Sequence, residues 1–176
     1  MRFSNLGKAA GFSVLIVMAV VLIATGVNAQ QMTPIAGKIT AKYAKIDSIV
    51  VSATDGHLMS LSQSEGTNVN AGKTPFLDGG VAINMTYTDV VKGNGMHQGY
   101  INLMKAGDSA LAKWHGKITT VMNPEGVPAT TFEGVFNYVS GTGAFAGIKG
   151  EGTYRGAFTS KTDYTVEWQG EYTLGK

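Results

Sequence analysis

Between residues 134 and 174 the chain alternates in character from one residue to the next. Gly134, Phe136 and Tyr138 share one set of positions, followed by Gly152, Tyr154, Gly156 and Phe158, then Tyr164, Val166, Trp168, Gly170, Tyr172 and Leu174. The positions between them are mostly polar, among them Glu133, Asn137, Glu151, Thr153, Arg155, Thr165, Glu167, Gln169 and Glu171. A period of two over this length predicts strands with one buried and one wet face. Glycines set between aromatics on the buried face predict a tightly curved sheet, because a small barrel fills its interior by pairing large with small side chains.

The same reading extends toward the N-terminus. Residues 46–52 are rich in β-branched side chains and predict a strand. Thr54-Asp55-Gly56 signals a turn, and residues 57–63 supply a second strand. Residues 65–78 form the longest irregular stretch, polar and broken by Gly66, Gly72 and Pro75. Residues 81–91 predict a strong strand with Val81, Ile83, Met85, Tyr87 and Val91 on one face. Lys92-Gly93-Asn94-Gly95 suits a tight hairpin turn, residues 100–105 the next strand, and Ala106-Gly107-Asp108 another turn. Residues 109–121 place Ala110, Ala112, Trp114, Gly116 and Ile118 inside and Lys113, His115, Lys117 and Thr119 outside. After Asn123-Pro124-Glu125-Gly126, residues 131–140, 150–159 and 162–174 complete about eight strands. The predicted fold class is all-β: an eight-stranded antiparallel β-barrel preceded by a signal peptide. Closure removes the exposed edges that make such strands aggregate, and eight strands enclose side chains or one small ligand.

The first residues carry a different pattern. Arg2 and Lys8 precede an apolar run from 12 to 24, and Val27-Asn28-Ala29 fits a small-x-small cleavage site. The run is shorter than the roughly 20 residues a spanning helix needs. A cleaved signal peptide over 1–29, a flexible lead-in over 30–44 and a barrel domain over 45–176 are expected, with a secreted or periplasmic product and no stable membrane span after cleavage. Cleavage leaves 147 residues with 12 basic and 12 acidic side chains, so the basic character of the whole chain belongs to the leader. No basic patch points to nucleic acid. Cysteine is absent, which excludes a thiol nucleophile and a thiolate metal site.

The stretch Gly141-Thr142-Gly143-Ala144-Phe145-Ala146-Gly147-Ile148-Lys149-Gly150, followed by Glu151-Gly152-Thr153-Tyr154, resembles the glycine-rich turn ahead of a late strand in allene oxide cyclase-like and dirigent-like barrels, and in small bacterial proteins of the same barrel class. The resemblance covers the chain from Tyr100 onward. It implies an eight-stranded, calycin-like barrel. The glycine-rich turn itself serves to bend the chain sharply between two barrel strands, with Phe145 plugging the end. The resemblance implies no chemistry: the cyclase's polar pocket residues have no matching motif here, and the paired cysteines usual in plant dirigent proteins are missing.

Candidate chemistry is sparse. His57, His97 and His115 lie on separate elements without metal-ligand spacing, so no metal and no cofactor is expected. Ala71-Gly72-Lys73-Thr74 imitates the end of a phosphate-binding loop, but Thr67 stands where its first glycine belongs. A Gly-x-Ser-x-Gly elbow is absent. The carboxylates of Glu133, Glu151, Glu167 and Glu171 fall on the wet face, as a charge ladder with Lys113, Lys117 and Arg155. His97 falls in a polar loop suited to the rim of a barrel mouth. The residues expected to touch a ligand are His97, Tyr100, Trp114, Tyr154 and Trp168. Three functions follow: a non-enzymatic protein that binds a small hydrophobic or aromatic compound at the barrel mouth, a cyclase or isomerase of the allene oxide cyclase type with Glu65, Asn84 or Asn102 turned inward, and a packed structural or partner-binding module without ligand. A homo-oligomer is compatible with each.

Overall fold

The computed structural model describes residues 31–175, so the expected signal segment and cleavage site lie outside the described residues. Eight strands follow in order: β1 (Thr33–Ser52), β2 (His57–Asn70), β3 (Gly80–Val91), β4 (Asn94–Lys105), β5 (Asp108–Met122), β6 (Pro128–Thr142), β7 (Ile148–Phe158) and β8 (Asp163–Leu174). Each pairs antiparallel with its chain neighbour, and β8 pairs with β1 to close the barrel. The one helical element among the described residues is the 3-10 turn Gly143–Phe145. Two of the hairpins turn in two residues: Lys92 and Gly93 take φ 51 and 73, and Ala106 and Gly107 take φ 52 and 93. Paired positive φ values match the right-handed twist of the flanking strands.

The C-terminal half follows its pattern. Trp114, Phe132, Phe136, Tyr138, Tyr164 and Trp168 are buried in one core with Ile35, Ile39 and Leu103. Phe145 is buried at one end, as the glycine-rich turn implied.

The N-terminal half departs from the expectation in three places. Residues 33–44 are not a lead-in: β1 begins at Thr33 and pairs with β8 from there. Its inward side chains, Ile35, Ile39 and Ala41, are separated by Gly37, over whose backbone the Trp168 ring lies, and so short a run of small residues gives a weak signal. Residues 65–70 belong to β2, which leaves 71–79 as the loop. On β3 the apolar set Val81, Met85 and Val91 is exposed, whereas Ala82, Thr86 and Val90 are buried. The inner faces of β2 and β3 mix Ser64, Asn68, Asn84 and Thr86 with Ala82 and Val90, so most of the larger apolar side chains of β3 stand outside.

Candidate functional site

The lumen is sealed at the end where β1 starts and β8 finishes. Phe76, on the loop between β2 and β3, is fully buried. Its ring meets Phe145 at 4.8 Å, Tyr172 at 5.4 Å, Tyr138 at 5.7 Å and Trp168 at 5.8 Å between centroids. Asn68 holds that loop inward: Nδ2 donates to the carbonyls of Phe76 and Leu77 at 2.9 and 3.2 Å, while Oδ1 accepts from Trp168 Nε1 at 3.0 Å. Leu77 takes a left-handed φ of 47 to make this fold-back, a strained conformation for a branched residue that the buried ring beside it offsets.

The other end receives no buried loop residue among the described residues; the rings of Tyr43, Phe132, Phe158 and Tyr164 narrow it instead, at 5.7–6.0 Å between centroids. Inside it lies a cavity of about 90 Å³. Its walls are aromatic on β6–β8, with Phe132, Tyr154, Phe158 and Tyr164, and partly polar on β3 and β4, with Asn84, Thr86, Thr88 and His97. No aspartate, glutamate, lysine or arginine lines it among the described residues.

Two hydrogen-bonded groups cross this space. In the first, Trp114 Nε1 donates to Asn84 Oδ1 at 2.9 Å. Asn84 Nδ2 lies 3.3 Å from the Tyr164 hydroxyl and 3.2 Å from Thr86 Oγ1, and Tyr164 shares a 2.5 Å hydrogen bond with Ser64. Strands β2, β3, β5 and β8 are thereby tied through the interior. The second is a pair. Along one row of the sheet His97, Gly116, Gly134 and Tyr154 stand side by side. The two glycines leave the row open, so the Tyr154 hydroxyl reaches His97 Nε2 at 3.0 Å. A Cβ on either glycine would stand 2.5 Å from that hydroxyl.

Burial sets the protonation of this pair. His97 is 6% exposed and its ring packs against Trp114, Phe132 and Tyr154. Desolvation pulls its pKa down to about 4, against a smaller upward pull from a hydrogen bond to the Glu133 carbonyl. The imidazole is therefore neutral at neutral pH, and a neutral ring that donates to a carbonyl accepts from Tyr154 at its other nitrogen. Burial also pushes the Tyr154 and Tyr138 hydroxyls up, and the Tyr43 hydroxyl up to about 12. A general acid or base works best with a pKa near the operating pH, and none of these groups has one.

Of the expected ligand residues, Trp114, Tyr154 and Trp168 line the lumen. His97 lines it too, but from the middle of strand β4 and not from a rim loop. Tyr100 does not: it faces outward and is 42% exposed, because inward positions on β4 have the parity of His97 and Leu103. Asn84 does turn inward, whereas Glu65 is exposed. Asn68, Ser64 and Thr86 are inner residues that no motif singles out; the signal available for them is the strand parity of Trp114 and Tyr164, projected across the sheet. His57 pairs with Asp89 at 2.7 Å on the outer surface, and His115 is exposed. Among the described residues no group of three or more His, Asp or Glu is placed to hold a metal ion, and no helix is long and apolar enough to cross a membrane.

Fold and interior together define a closed eight-stranded antiparallel barrel, plugged at one end, with a small uncharged lumen toward the other. No protein-family model matches the chain, and no curated protein does. Solved structures similar to it include two pterocarpan synthase dirigent proteins. GePTS1 shares 12% identity over 95% of this chain and 100% of its own, with a TM-score of 0.46. PsPTS1 shares 12% identity over 83% of this chain and 97% of its own, with a TM-score of 0.45.

Proposed function

We propose that this barrel is a non-enzymatic binding protein that takes one neutral, ring-sized hydrophobic or aromatic group into the unplugged half of its lumen. One observation carries the reading: beside a full plug, the barrel retains a cavity walled by aromatic edges and uncharged hydrogen-bonding groups. An ionised ligand would lose its hydration there without gaining a counter-charge. A neutral ring gains edge-to-face contacts and one or two hydrogen bonds, to Asn84, Thr88 or Tyr154. Size limits the ligand. Drug-sized compounds occupy roughly 300–1,000 Å³, so about 90 Å³ admits one ring and leaves any larger body outside the mouth. The cyclase alternative is disfavoured by the neutral, unpoised state of His97 and Tyr154. The packed-module alternative draws support from the same small volume.

Titration with benzyl alcohol and benzoate, followed by the fluorescence of Trp114 and Trp168, separates these readings. Benzyl alcohol is expected to bind and benzoate not to, and Thr88→Phe at the cavity is expected to abolish benzyl alcohol binding with the fold retained. No response to benzyl alcohol or to other neutral single-ring compounds overturns the binding reading in favour of the packed module.

A further inference from the structure

The outer wall of the barrel has two unlike halves. On β5–β8 the outward positions include paired charges, with Lys117 to Glu133 at 2.9 Å and Arg155 to Glu167 at 2.8 Å. On β3 the outward run Val81, Ile83, Met85 and Tyr87 is apolar, and Leu61 on β2 and Met96, Tyr100 and Met104 on β4 adjoin it, with Gln63, Gln98 and Asn102 set between them. Leu61 stands beside Tyr87 across the β2–β3 pairing, and Met85 beside Tyr100 across the β3–β4 pairing, with Val81 and Met96 extending the surface along both strands. Leu61 and Met96 are 62% and 66% exposed, and Val81 50%. The one charged side chain that β3 places on this wall is Asp89, and it is paired with His57. Solvent-facing strands ordinarily carry charges that deter association.

We infer that this wall is an interface between two copies of the chain. Half-exposed side chains of this size leave on the order of 500 Å² of contiguous apolar surface. Ile49 and Val91, exposed at its upper end, bring it toward the ~800 Å² that each partner contributes to a stable pair. A two-fold contact sets the same patch on both copies, so apolar wall meets apolar wall with no second surface required. The borders choose the axis. Lys113 on β5 flanks Tyr100, and Gln63 and Glu65 on β2 flank Met85 and Ile83. An axis along the strands sets the β5 border of one copy over the β2 border of the other, so Lys113 comes level with Gln63 of the partner subunit, with Glu65 of the partner subunit the next outward side chain along the strand. An axis across the strands would set Lys113 on Lys113. The lumen is lined by the opposite, inward side chains of these strands, so the inference stands apart from the binding reading.

Sedimentation velocity of the purified full chain at micromolar concentrations tests it. A dimer is expected. Met85→Glu combined with Met96→Glu, at two outward positions, is expected to give monomers with the unfolding midpoint retained. Lys113→Glu is expected to weaken association about tenfold, and Glu65→Lys added to it to restore it. A full chain that stays monomeric overturns the inference, as does a dimer that survives the double glutamate variant. Binding of a monomeric chain to neutral phosphatidylcholine vesicles through this wall would overturn it in favour of a membrane surface.

Discussion

The two ends of the lumen are built by the same eight strands and are filled in opposite ways. At one end the β2–β3 loop folds back and drives Phe76 among four rings, with Asn68 satisfying the loop carbonyls as it enters. At the other end no buried loop residue returns among the described residues; the rings of Tyr43, Phe132, Phe158 and Tyr164 narrow the mouth, and the space behind them is held by hydrogen bonds between strands, His97 to Tyr154 and Asn84 to Trp114 and Tyr164. An aromatic plug excludes water and a ligand alike. A polar cross-brace holds the walls apart while leaving room between them. The difference shows that closure of the sheet does not by itself decide whether a small barrel is hollow; the loop that folds back decides it.

The largest expected effect is at the plug. Phe76→Ala empties a fully buried site and is expected to cost about 3–5 kcal/mol of unfolding free energy in urea denaturation. The variant should also admit benzyl alcohol at the formerly sealed end. A cost under about 1 kcal/mol would mean that the plug is dispensable and the comparison fails.

The cross-brace should respond to acid where the plug does not. The folded pKa of His97, about 4, lies below its unfolded value, so the unfolded chain takes up the proton first. The stability it confers is present above about pH 6.5 and is lost as pH falls toward 4, a loss on the order of 2–3 kcal/mol. His97→Gln is expected to flatten the pH dependence of the unfolding midpoint across that window. An unchanged profile would assign the acid sensitivity elsewhere. The glycine row comes next. Gly134→Ala puts a Cβ 2.1 Å from the His115 carbonyl oxygen and 2.5 Å from the Tyr154 hydroxyl. A cost of about 1–3 kcal/mol is expected in the same denaturation experiment, because the methyl group pushes the Tyr154 hydroxyl out of reach of His97.

The sequence is legible where the interior is aromatic and illegible where it is polar. On β5–β8, Trp114, Phe136, Tyr154 and Trp168 alternate with polar or charged positions, and parity assigns the faces correctly. Those large rings reach across the lumen, so β2 and β3 need only small side chains opposite them. Ser64, Asn68, Asn84 and Thr86 fill that role: Asn68 stands in a stretch whose pattern predicts a loop, Asn84 and Thr86 on the face opposite the apolar set of their strand, and Ser64 between the predicted second strand and that loop. Meanwhile Leu61, Met85 and Tyr100 lie outside, where a rule that sends hydrophobic residues inward fails; the same rule counts Tyr100 among the ligand residues. His97 stands out as a candidate from its sequence alone, yet its polar neighbours Asn94 and Gln98 imitate a rim loop while they form the outer face of β4. The plug leaves no local trace, because burying Phe76 depends on Asn68, eight positions before it, and on Trp168, at the far end of the chain.

The smallest expected effect sharpens the comparison most. Tyr154→Phe keeps the ring, its edge contacts with His97 and Trp114 and the volume of the wall. It removes one hydroxyl whose bond to His97 is a single neutral hydrogen bond, so a cost of about 1 kcal/mol at neutral pH is expected. The informative quantity is the titration of His97. Tyr154 donates to Nε2 only while the imidazole is neutral, so its hydroxyl favours the uncharged form. With the hydroxyl gone, the His97 pKa should rise, while burial among Trp114 and Phe132 keeps it below that of a free histidine. Nuclear magnetic resonance of the His97 ring through an acid titration, in the parent chain and in the variant, reads the change directly. A rise confirms that the unplugged half is braced by this hydrogen bond. A pKa that does not move would mean that the ring is held by packing alone, and the two ends of the lumen would then differ in how tightly they are filled but not in kind.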